Sequence, residues 1–84
     1  MNRLEVLQKV TESVRITFRE PTLVVTDVTT AEDIDGWDSL SHAILVFRIE
    51  KSCNVRIPDD IGLSFKNVGE LVDHIVHLTE GGRA

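Results

Sequence analysis

The sequence predicts an all-α fold: a small four-helix bundle of three main helices and one short one, with a long first loop. Three observations point there. Apolar residues recur at spacings of three and four in three separate segments. Capping and stop residues bracket those segments. The one run that resembles a strand, Leu23-Val24-Val25, has no second strand nearby to pair with. With 84 residues, 42% of them hydrophobic, the chain is read as a single domain, 1–84, around one packed core.

The first helix is expected over residues 2 to 19, with Leu4, Leu7, Val10, Val14 and Phe18 on one face. Pro21 stops it and biases Glu20 away from helical angles. Arg3, Glu5, Lys9 and Glu12 interrupt this segment, which argues against a signal peptide, and its acids argue against a transit peptide. The loop from Thr22 to Asp38 is long for so small a fold. Thr26, Asp27, Thr29 and Thr30 supply turn and cap chemistry, and Val25, Val28 and Ile34 are expected to pack it down. A second helix starts at Asp38 or Ser39, both good N-cap residues, and runs to about Ser52, with Asn54 as a left-handed stop. Val55-Arg56-Ile57-Pro58 reads as an extended link into a brief helix over Asp59 to Ser64, kept short by Gly62. The last helix is capped by Asn67 with Glu70 three residues on. Its stripe is Val68, Leu71, Val72, Ile75 and Leu78, and Gly81-Gly82 ends it.

The net charge of −5 is unevenly spread: Glu20 to Phe47 holds six carboxylates and no lysine or arginine. Such a stretch repels nucleic acid and anionic membrane and steers basic partners inward. No apolar run approaches the roughly 20 residues of a membrane span. Cys53 is the only cysteine, which excludes an internal disulfide and a paired-cysteine metal knuckle, and it reads as a small buried hydrophobe. Cytoplasmic location and a monomeric state are expected. His74 and His77, three apart on the last helix, lack a convincing set of further metal ligands and read as cations near a helix C-terminus.

One helix face needs about three apolar residues per two turns, and the second helix has more. Leu45, Val46, Ile49 and Cys53 suit the core. Leu40, Ile44 and Phe47 form a second stripe, in line with Lys51 and beside Arg48, which is either partner-facing or buried in a helix surrounded on all sides.

Ser39 starts this helix, in Gly36-Trp37-Asp38-Ser39-Leu40 after the acidic run Glu32-Asp33-Ile34-Asp35. A hydrolase nucleophile needs an adjacent base and an oxyanion hole. The nucleophile-elbow glycine after the serine is missing here, and His42 has no visible orienting partner. A plain helix cap is a second reading. A third is covalent attachment of a phosphate-linked group, favoured by the positive end of the helix dipole. Asp38 alongside suits the Mg²⁺ that phosphate transfer needs.

These residues, with Glu50, Ile57-Pro58 and Phe65-Lys66-Asn67-Val68, resemble the acyl carrier protein family over essentially the whole chain, including the order and spacing of the helices. The resemblance implies a non-catalytic carrier. Ser39 would receive 4′-phosphopantetheine from coenzyme A through a phosphopantetheinyl transferase, with Asp38 serving Mg²⁺ and transferase recognition. The arm's thiol would present acyl thioesters to loading and processing enzymes. Leu40, Ile44, Phe47, Arg48, Glu50, Lys51 and Ile57 would form the partner-binding side. Two departures stand out. Glu50 is the only acid within the second helix, where carriers of fatty acid synthesis are typically acid-rich, and Trp37 replaces their small residue. This favours a specialised lipid, polyketide-like or secondary-metabolite pathway. A peptidyl carrier, or an unmodified four-helix interaction module, are the alternatives.

Overall fold

The computed structural model describes residues 1–58 and 65–81, so the short helix expected over Asp59 to Ser64 lies outside the described residues, as does Gly82. Within them the chain is all-helical: α1 (Arg3–Phe18), a 3-10 turn (Ala31–Asp33), α2 (Ser39–Cys53) and α3 (Val68–Gly81). No helix among the described residues is long and apolar enough to cross a membrane.

Each helix begins and ends for a local reason. Asn2 caps α1, its side chain accepting from the Glu5 N–H while Glu5 accepts from the Asn2 N–H. Arg19, in the left-handed region at φ 57°, closes α1 two residues before Pro21. Asn54 closes α2 in the same conformation, φ 54°, as its type and place predict. Asn67 caps α3 by accepting from the Glu70 N–H at 2.9 Å, and Glu70 reaches back to the Lys66 N–H. The described part of α3 runs to Gly81, the first residue of the expected stop.

α1 packs against both other helices. The core runs through Val6, Val10 and Val14 of α1, Leu45, Ile49 and Cys53 of α2, and Val68, Leu71, Val72 and Ile75 of α3. The α1 face is rotated from the expected one. Val6 is fully buried and Leu4 exposed, because Val6, Val10, Ser13 and Val14 are the residues that α2 and α3 cover together. Ser13 satisfies its buried hydroxyl on the Lys9 carbonyl.

The long loop contains no strand and is stitched down by polar contacts as much as by apolar ones. Val25 and Ile34 enter the core as expected, but Val28 is 77% exposed. The reason is the turn at Thr26–Thr29, closed by the Thr29 side chain accepting from the Thr26 N–H, which puts Val28 at its tip. The turn then caps α3, with the Gly69 and Val68 N–H groups donating to the Asp27 and Thr29 carbonyls at 2.8 and 2.9 Å. Arg3 clasps this junction, donating to Asp27, Asp73 and the Gly69 carbonyl, and the two carboxylates hold its guanidinium still more firmly protonated. The approach is so close that a Cβ on Gly69 would lie 2.9 Å from the Asp27 oxygen.

Candidate functional site

The loop delivers the chain to α2 through Gly36, whose φ of +86° lies in the region that favours glycine. That turn directs the Gly36 carbonyl to the Ser41 hydroxyl, which donates to it at 2.9 Å. Asp38 is the N-cap. Its Oδ1 accepts from the Ser41 N–H at 2.9 Å, while Ser41 Oγ accepts from the Asp38 N–H at 2.8 Å. This reciprocal capping box places Ser39 at the first helical position, exposed to solvent. The cap belongs to Asp38 and Ser41, so the plain-cap reading of Ser39 is removed. Among the described residues nothing engages the Ser39 hydroxyl.

Hydrogen bonds from Ser41 lower the pKa of the Asp38 carboxyl below its ordinary value. An exposed carboxylate therefore stands ionised beside Ser39 at neutral pH. Such a group can share a hard cation with an incoming phosphate.

Ser39 and Asp38 line an open pocket of about 400 Å³ with Ala31, Trp37, His42, Phe65 and Lys66. Its wall is aromatic. Trp37 packs at 5.3 Å from Phe18 and 6.3 Å from Phe65, and Phe65 stacks on His42 at 5.4 Å between centroids. The Trp37 indole N–H donates to His42 Nδ1 at 3.0 Å. His42 thus shares the pocket with Ser39 but spends Nδ1 on the indole, which is the nitrogen a carboxylate orients in a hydrolase triad. Sequence reasoning gave His42 no positive role and quoted Phe65 and Lys66 only as part of a motif. The cluster joins positions too distant in the chain for spacing to reveal.

The two apolar stripes of α2 separate as the excess of apolar residues suggests. Leu45, Ile49 and Cys53 are buried, whereas Leu40, Ile44 and Phe47 are 71%, 44% and 60% exposed. A helix buried on all sides is excluded. Lys51 extends over the Phe47 ring, 5.1 Å from its centroid, and lengthens the exposed stripe. The other expected partner residues sit differently. Arg48 is half-buried and donates to the Thr17 hydroxyl, tying α2 to α1. Ile57 does not share the surface at all, being 4% exposed in the core. Alternation along the extended link turns Arg56 outward and Ile57 inward. Glu50 holds that link by accepting from the Ile57 N–H at 2.7 Å. Its carboxylate is committed to the fold.

Cys53 is buried, and that burial pushes its thiol up, away from the reactive thiolate. Among the described residues no group of His, Cys, Asp and Glu is placed to hold a metal, and the His74 and His77 rings lie 6.4 Å apart.

No family model matches the chain. It is 34% identical over 76 residues to an acyl carrier protein of Thermosynechococcus vestitus, covering 89% of this chain and 93% of the relative. Its fold is similar to the solution structure of a holo acyl carrier protein from Geobacter metallireducens. That match has a TM-score of 0.82 and 32% identity, over 93% of this chain and 90% of the other. With near-complete coverage on both sides, and a solved neighbour of the same fold at 32% identity, the chain belongs to the acyl carrier protein family.

Proposed function

We propose that this carrier holds its cargo on a 4′-phosphopantetheine arm attached to Ser39, and serves a specialised lipid, polyketide-like or secondary-metabolite pathway rather than bulk fatty acid synthesis. As a member of its family the protein is a carrier and not an enzyme. The observation that carries the attachment reading is the Ser39 hydroxyl: exposed, uncommitted to capping and adjacent to an ionised carboxylate. The similar solved structure is described as a holo carrier, which supports the same reading.

Attachment is a phosphoryl transfer made by a separate phosphopantetheinyl transferase. Ser39 Oγ bonds to the phosphorus of coenzyme A that bears the pantetheine. The bond to the adenosine bisphosphate leaving group breaks, and the serine proton passes to a base of the transferase. Here the chain presents an uncovered hydroxyl, and Asp38 offers a ligand for Mg²⁺. The arm, once attached, supplies a thiol that holds acyl groups as thioesters.

The surface of α2 supports the specialised-pathway reading. Its one internal acid, Glu50, is turned to the Ile57 N–H, so the charged neighbours of the exposed Leu40, Ile44 and Phe47 stripe along the helix are the cations Lys51 and the half-buried Arg48. Partners that dock on carboxylates along this helix find none beyond the Asp38 cap. The acids sit in the preceding loop, at Glu32, Asp33 and Asp35. The test is transfer from a fluorescent coenzyme A analogue by a broad-specificity transferase. Wild type and Ser41→Ala are expected to become labelled and Ser39→Ala to remain dark. Labelling of Ser39→Ala equal to wild type contradicts the assignment.

A further inference from the structure

We infer that the aromatic wall beside Ser39 is a resting site for the proximal, branched apolar segment of the protein's own arm, so that the arm leaves the serine folded against Phe65 and Trp37 rather than free in solvent. The inference rests on the attachment reading and deepens it.

Ser39 is itself one of the residues lining the pocket of about 400 Å³, so a group bonded to its oxygen starts inside the cavity mouth. The chemistry of the arm suits that cavity. One methylene beyond the phosphodiester comes a carbon bearing two methyl groups, the most apolar part of phosphopantetheine, and its short tether keeps it within reach of the pocket wall. That wall is unusually apolar for a surface beside an acidic loop. Trp37 and Phe65 are only half-buried, leaving ring surface open to the cavity. Removing methyl groups and ring faces from water together is favourable.

The wall is also fixed in place before any ligand arrives. Trp37 is held by Phe18 behind it and by its N–H bond to His42, and His42 is stacked on Phe65. A pre-ordered surface loses little entropy when it is covered. The intramolecular tether raises the effective concentration further.

The test is nuclear magnetic resonance on isotope-labelled protein carrying an unlabelled arm. The account predicts filtered Overhauser contacts between the arm's methyl protons and the ring protons of Trp37 and Phe65. It also predicts methyl resonances displaced by ring currents from their positions in free coenzyme A, with the separation between the two methyls changed from its free value. Phe65→Leu keeps the apolar volume but removes one ring, and is expected to move the methyl shifts part of the way back. Leu4→Ala, on the exposed side of α1, is expected to leave them unchanged. A fully modified protein whose arm methyls show free coenzyme A shifts and no ring contacts overturns this inference alone. A folded protein that the transferase cannot modify overturns the attachment reading and this inference with it.

Discussion

Ser41 shows how one hydroxyl can free another for chemistry. By completing the cap with Asp38 it relieves Ser39 of structural duty, so Ser39→Ala is predicted to leave the melting temperature within about 2–4 °C, since exposed substitutions fall within about 0.5 kcal/mol. Ser41→Ala removes the exposed side-chain hydrogen bonds with the Asp38 N–H and the Gly36 carbonyl, at a net cost of about 1 kcal/mol, and lowers Tm by about 4–8 °C, measured by thermal unfolding of the two variants side by side. Because the folded pKa of Asp38 is depressed, its contribution to stability is complete above the ordinary value of 3.8 and is lost as pH falls through the lower, folded value. Acid titration of Tm is therefore predicted to show a loss below that value which Asp38→Asn lacks. Gly69 gives a sharper case. In an open helix Gly→Ala stabilises by about 1 kcal/mol. Here the added Cβ meets the backbone of Asp27, so Gly69→Ala is predicted to destabilise by about 1–3 kcal/mol in urea unfolding. The roles of Asp38, Asn54 and Asn67 were legible because caps and stops are local. The constraint on Gly69 and the Trp37, His42 and Phe65 cluster were not, because both depend on contacts across the fold.

At the scale of elements, α2 has a buried face and an exposed apolar face, and the surplus of apolar residues pointed to that split before any contact was known. Its inner face lies in the core, with Leu45 and Ile49 fully buried. Ile49→Ala is predicted to cost about 2–5 kcal/mol, while Ile44→Ala on the outer face changes stability by about 0.5 kcal/mol or less. Denaturant melts of the pair check this, and the same samples separate fold from docking. Ile44→Ala and Phe47→Ala should slow transferase modification severalfold while remaining folded. The register of α1 was less legible, since Leu4, Val6 and Leu7 can be drawn onto more than one face. The packing of α2 and α3 chose Val6. Ile57 misled for a related reason: an extended link alternates its side chains, and only the Glu50 contact fixes which of them turn inward.

At the scale of the whole molecule the charge along the chain is uneven. The acidic loop stands at the Ser39 end of α2 and Lys51 at the other, within a net charge of −5. On the proposed attachment reading a basic transferase would be steered toward Ser39, an attraction that salt screens over about 10 Å at 0.1 M. The second-order rate of modification is accordingly predicted to fall as ionic strength rises, and to fall less for Asp35→Asn. The helix order and long loop that create this geometry were visible in the sequence, because each helix carries its own caps and periodicity. How the loop reaches across to cap α3 was not, because carbonyl acceptors leave no trace in residue type. The most direct test of the account is the intact mass of the folded protein before and after incubation with a phosphopantetheinyl transferase, Mg²⁺ and coenzyme A, with the modified peptide then sequenced. The account predicts a gain of one phosphopantetheine on Ser39, absent in Ser39→Ala. An unmodified starting protein that gains nothing, or gains it at another residue, would contradict it.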